Sequence, residues 1–125
     1  MSKNKKGIQP NERIKKILKK IKIPIHDKKH NLDIYFKERA RSNETGIEHA
    51  SRMYHGLQVS DVEVLVEGIN DPLLFKKDKR FERVFNYYLR RKEDKKNAIK
   101  VSVLIDRYNS HRAEILTIFI TSKIK

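Results

Sequence analysis

The sequence predicts an α+β domain with N-terminal helices packed on one face of a four-stranded antiparallel sheet. Three observations lead there. Apolar residues recur at spacings of three and four in the first half of the chain, the period of a helix face. From Leu73 onward they alternate, the period of a half-buried strand. The connections between the alternating runs are short and rich in turn residues, which favours a meander over long crossovers. Helices first and strands after is the element order of an α+β domain.

Residues 1–10 are polar and basic and predict a disordered lead-in. A single domain then spans 11–125, with its core over 44–125. In residues 11–22 (NERIKKILKKIK), Ile14, Ile17, Leu18 and Ile21 share one helix face, Asn11 can cap the start, and the other face is nearly all lysine. Such a helix docks on its own domain, on an anionic membrane or on a partner protein. Pro24 ends it, and IPIHDKKHN reads as a connector or short strand. Residues 31–43 are mixed, with a strand-like LDIYF and a helix-like FKERARS; a short helix or irregular segment is the expectation.

Thr45 and Glu48 match a capping box, and they open a helix that carries Ile47, Ala50, Tyr54 and Leu57 on one face. Gly56 supplies its stop. A second helix begins at Ser60, with Asp61 and Glu63 at its positive end, and closes between Gly68 and Pro72. Four strands follow: LLFKK, VFNYYLRR, 98–106 and 114–122. Phe85, Tyr87 and Leu89 should face the helices, as should Ile99, Val101, Val103 and Ile105, and Leu116, Ile118 and Ile120.

The opposite rows should then form an outer sheet face. They are Asn86, Tyr88 and Arg90; Lys100, Ser102 and Leu104; and Ile115, Thr117, Phe119 and Thr121. Cations, hydroxyls and rings on one sheet face make a platform for a nucleotide, with Tyr88 stacking a base and Lys100 or Arg90 holding a phosphate. An ordinary solvated antiparallel face would be polar too, so the pattern by itself leaves both readings open.

Charge favours the nucleotide. Lys and Arg number 30 against 16 Asp and Glu, a net +14, and such an excess draws phosphate backbones and releases their counterions. The excess is segregated. Residues 1–30 hold eleven Lys and Arg against Glu12 and Asp27; residues 76–100 hold eleven, including Lys76, Lys77, Lys79 and Arg91, against four acids. Between them, residues 44–71 hold Arg52 against six acids. Two basic blocks around an acidic segment describe a directed surface. Cysteine is absent, which excludes a disulfide framework and a thiolate zinc site and fits a cytoplasmic protein. No run approaches a membrane span, and no apolar h-region follows the basic N-terminus, so neither a membrane partner nor a secretory signal is expected.

Five histidines are present: His26, His30, His49, His55 and His111. His26 and His30 would meet as metal ligands only on a helix, which Pro24 and the polar run around them oppose. With His111 they are expected at the surface. His49 and His55 lie on the capped helix, and a titratable histidine suits proton transfer in RNA cleavage. Phosphate-cradling glycine loops, HExxH and a nucleophile elbow are absent from the sequence, and its carboxylates lack the clustering of a two-metal nuclease. No metal or other cofactor is therefore expected.

The stretch from Gly46 to Thr121 is carried by five segments in order: GIEHASRMYHGLQVSDVE, NDPLLFKKDK, FNYYLRRK, NAIKVSVLID and AEILTIFITSKI. Their order resembles the phage- and mobile-element-associated branch of the barnase–EndoU–colicin–RelE-like nuclease fold. There, a helix with a histidine motif and a second helix precede a four-stranded antiparallel sheet, which ends in a hydroxyl-bearing strand. The resemblance implies a metal-independent endoribonuclease of toxin or mobile-element type that cleaves RNA by 2′-hydroxyl attack. It implies His49 as the helix histidine, Thr117 or Thr121 as the strand hydroxyl, and Lys100 and Tyr88 as active-site residues, with Arg52 and His55 following the histidine. RNA is the implied partner, with an acidic inhibitor or antitoxin as protein partner. Three rival readings remain: a non-catalytic nucleic-acid-binding module such as a helix-turn-helix, an antitoxin-like partner protein, and a degenerate nuclease fold kept for binding. Asp61, Glu63 and Glu67 weigh against a DNA-recognition helix at that position.

Overall fold

A computed structural model describes residues 16–17, 20–36, 58–92 and 94–122. The predicted lead-in, most of the 11–22 helix and the capped helix with His49, Arg52 and His55 lie outside the described residues. The described elements are β1 (Ile25–Asp27), β2 (Leu32–Phe36), α1 (Val59–Glu63), α2 (Leu65–Asn70), β3 (Leu74–Lys77), β4 (Val84–Arg90), β5 (Ala98–Ile105) and β6 (Arg112–Thr121).

The fold class differs from the expectation. Among the described residues the strands form one curled, six-stranded mixed sheet in the order β1-β2-β6-β5-β4-β3, accompanied by the short helices α1 and α2. The four expected strands are present as an antiparallel β3-β4-β5-β6 run. The added pair comes from the mixed segment, where LDIYF is a strand with Leu32, Ile34 and Phe36 buried. Strand β2 pairs with β1 antiparallel and with β6 in parallel, Asp33 to Phe36 against Arg112 to Ile115. The physical reason is the edge of β6. Over Arg112 to Ile115, β2 takes up amides and carbonyls of that edge that would otherwise lie open to another chain.

The second helix is also changed. It breaks at Val64, where φ is −96° and ψ is 5°, into α1 and α2. Their buried residues Val62, Leu65 and Ile69 join the core with Tyr87, Leu89, Ile99, Val101 and Val103. Gly68 allows a close approach: a Cβ placed there would meet Leu89 Cδ1 at 3.0 Å. Asp61 is buried at the start of α1, accepts from the Gln58 amide at 2.8 Å, and pairs with the Arg91 guanidinium at 2.8 and 2.9 Å.

One inward-facing row is shifted by a bulge. Ser102 pairs with Thr117, but Val103 pairs with Ile115, so Leu116 is the extra residue in β6. Before the bulge, Ala113 and Ile115 are the buried residues rather than Leu116. Beyond it, Ile118 is buried while Thr117 and Phe119 face outward.

The turn joining β1 to β2 is tied to the sheet by Asp27, which is 0% exposed. Its carboxylate accepts from the Tyr87 hydroxyl at 2.5 Å, from His30 Nδ1 at 2.8 Å and from the Lys29 and His30 amides at 3.1 and 3.2 Å. The His30 ring stacks on Phe75, with centroids 3.8 Å apart. The sequence pattern puts His30 at the surface; it is instead half-buried against β3, because the turn folds back onto that strand. His26 and His111 are exposed.

Candidate nucleic-acid interface

Cross-strand register assembles the outer face row by row. Leu74, Tyr88, Lys100 and Phe119 align across β3, β4, β5 and β6, and beside them Lys76, Asn86, Ser102 and Thr117 form the next row. Thr121 aligns with Ala98 and Arg90. The β3–β4 connection, DKRFER, adjoins these rows. Together they border a groove of about 480 Å³ lined by Lys76, Lys77, Asp78, Lys79, Arg80, Asn86, Tyr88, Lys100, Phe119 and Thr121. Five of these carry positive charge, and Asp78 is the one acid among them.

Asp78 shapes the loop. One carboxylate oxygen accepts from the Arg80 and Phe81 amides at 2.9 and 3.1 Å, and the other accepts from Asn86 Nδ2 at 3.1 Å. Asn86 in turn accepts from Ser102 Oγ at 2.6 Å. The Asn86 side-chain bond and then the two amides hold the Asp78 pKa down to about 2. The acid therefore stays ionised and anchors a loop rich in cations. Ser102 belongs to this relay rather than to the open face.

Lys100 lies on the groove floor between two rings. Its Nζ is 5.8 Å from the Tyr88 ring centroid and 5.4 Å from that of Phe119, within the range of a cation–π attraction. Tyr88 is 5% exposed. Burial first, and then the nearby Asp78 charge, raise its hydroxyl pKa, so the phenol stays protonated. The expected stacking role for Tyr88 fails on this burial, because a ring so covered cannot receive a base. Beside this groove the open rings among the described residues are Phe119, 36% exposed, and Phe81 in the β3–β4 loop, 56% exposed; Tyr108, 90% exposed, lies in the β5–β6 turn.

Of the candidate residues, Lys76, Lys77, Lys79, Tyr88, Lys100 and Thr121 line the one groove. Thr117 is one pair along, opposite Ser102. Arg90 turns away, donating to the Asp71 carbonyl at 3.0 Å, and Arg91 is engaged by Asp61 and Asp94. Both border the cleft beside α2 instead. Reading the sequence missed Phe81, Arg80 and the Asp78–Asn86 anchor. The signal was available in KKDKRF: an aspartate inside a basic run binds the amides that follow it and makes a fixed turn. Among the described residues no helix is long and apolar enough to cross a membrane. Comparison with models of protein families, with curated proteins and with solved structures gives no match.

Proposed function

We propose that the outer sheet face and the β3–β4 loop bind RNA, and that the domain cleaves it as a metal-independent endoribonuclease. The observation that carries this reading is the groove itself. Five cations, a lysine held between two rings and a strand hydroxyl border one space, and their chemistry suits a phosphate flanked by ribose and base. In the proposed reaction the 2′-hydroxyl oxygen bonds to the adjacent phosphorus and the bond to the 5′-oxygen breaks. A base takes the 2′-hydroxyl proton, and the departing 5′-oxygen is protonated. The products are a 2′,3′-cyclic phosphate and a 5′-hydroxyl. Lys100 is assigned the negative charge that builds on the phosphate, and Thr121 or Thr117 a hydrogen bond to it. The resemblance assigns the proton transfer to His49. The basic face would also accept an acidic inhibitor protein by charge complementarity.

A non-catalytic RNA-binding module is the second reading. The same cations and rings support it equally, since the proton transfer rests on a residue outside the described structure. Binding is tested first. RNA methylated at its 2′-hydroxyls cannot be cut by this route and still offers phosphates and bases. If five cations meet phosphates, log K against log salt should have a slope of about −3.5 for a single strand. Between about 50 and about 200 mM salt, affinity should fall roughly a hundredfold. Salt-independent binding, or none at the low end, would remove the nucleic-acid reading.

A further inference from the structure

Phe81 has no role in core packing, yet its backbone is fixed. The ring is 56% exposed, while its amide donates to the ionised Asp78 at 3.1 Å. The Arg80 guanidinium carbon lies 5.3 Å from the ring centroid. The loop thus holds an open aromatic ring and an adjacent cation beside the groove that Lys76, Lys77, Lys79 and Arg80 line. The relay from Ser102 through Asn86 to Asp78 ties that position to the sheet.

We propose that Phe81 and Arg80 form a stacking site for one unpaired base, which makes the ligand of this face single-stranded rather than duplex RNA. This rests on the reading of the face as an RNA interface. The chemistry is specific to unpaired strands. In a duplex each base has both faces covered by its neighbours, and only the phosphates and groove edges are offered. A splayed base offers a free π-face, and every base has one, so such a site tolerates sequence while rejecting paired strands. A cation at the ring supplies a partner for the phosphate next to the stacked base. A surface that served phosphates alone would need the lysines and arginines but would have no use for an open ring.

The test is binding of a short 2′-O-methyl RNA, single-stranded and annealed to its complement, at one salt concentration. Wild-type protein should prefer the single strand. Phe81→Ala should weaken single-strand binding roughly tenfold, the loss typical of one base–aromatic stack. It should leave duplex binding and the thermal midpoint unchanged. Phe81→Leu, which keeps apolar bulk without a π-face, should lose as much as alanine, and Phe81→Trp should bind as wild type does. Equal losses on single strand and duplex, an unchanged Phe81→Ala, or a leucine variant equal to wild type would each overturn the stacking site while leaving the RNA interface standing. Failure of the wild type to bind either form would overturn both.

Discussion

Replacing Asp27 with alanine should destabilise the fold by about 3–5 kcal/mol, the cost of breaking one side of a buried charged network. The carboxylate is fully buried and accepts four hydrogen bonds. Without it, the Tyr87 hydroxyl is stranded in the core and the turn amides of Lys29 and His30 lose their acceptor; each orphaned buried donor costs about 1–3 kcal/mol. Urea unfolding checks this, and a loss under about 1 kcal/mol would contradict it. Asp27→Asn keeps the shape and one acceptor and should lose less. The pH dependence has a definite sign. Burial alone would raise the Asp27 pKa, but the Tyr87 hydroxyl and the His30 ring and amide outweigh it and hold the value below the ordinary 3.8. A depressed carboxyl contributes fully above its unfolded pKa and loses that contribution as pH falls through the folded one. The stability gap between wild type and Asp27→Ala should therefore be constant above about pH 5 and close on further acidification.

Lys100→Ala should slow RNA cleavage by about 10²–10³-fold, the usual effect of deleting a group that meets developing charge. Stability should change by less than about 1 kcal/mol, because the ammonium sits at the groove surface, where its two cation–π pairs and its attraction to Asp78 are screened by solvent. Lys100→Arg keeps the charge but not the compact ammonium, so partial activity should return. Single-turnover rates on a short RNA, with unfolding curves alongside, separate these outcomes. A Lys100→Ala variant that cleaves as fast as wild type would remove Lys100 from the proposed chemistry.

The C-terminal strands were legible because β4, β5 and most of β6 alternate and each turn is local. Asn86, Tyr88, Lys100, Thr117 and Phe119 do share the outer face that alternation gives them. Alternation could not reveal the β2–β6 pairing. It is parallel and joins residues nearly eighty positions apart in the chain, so no turn signal marks it. LDIYF has a strand pattern of its own, but FKERARS beside it obscured the reading. The bulge at Leu116 was invisible for a related reason: Leu116 and Ile115 are both apolar, and either satisfies an inward row. Exposure was the least legible property. Tyr88 reads as an outward ring, yet it is 5% exposed with Lys100 over its face, while Phe81 looks like loop sequence and carries an open ring. His30 shows the reverse case, a polar-looking turn residue captured by a buried carboxylate.

The most direct measurement of the proposed function is the fate of a 5′-labelled RNA incubated with the purified protein in EDTA. If the proposed reaction holds, cleavage should survive the chelator and leave a 2′,3′-cyclic phosphate on the upstream fragment. His49→Ala should be slower by about 10²–10⁴, the range for loss of a general base. RNA left intact, cleavage only when Mg²⁺ is restored, or fragments ending in a free 3′-hydroxyl would contradict it.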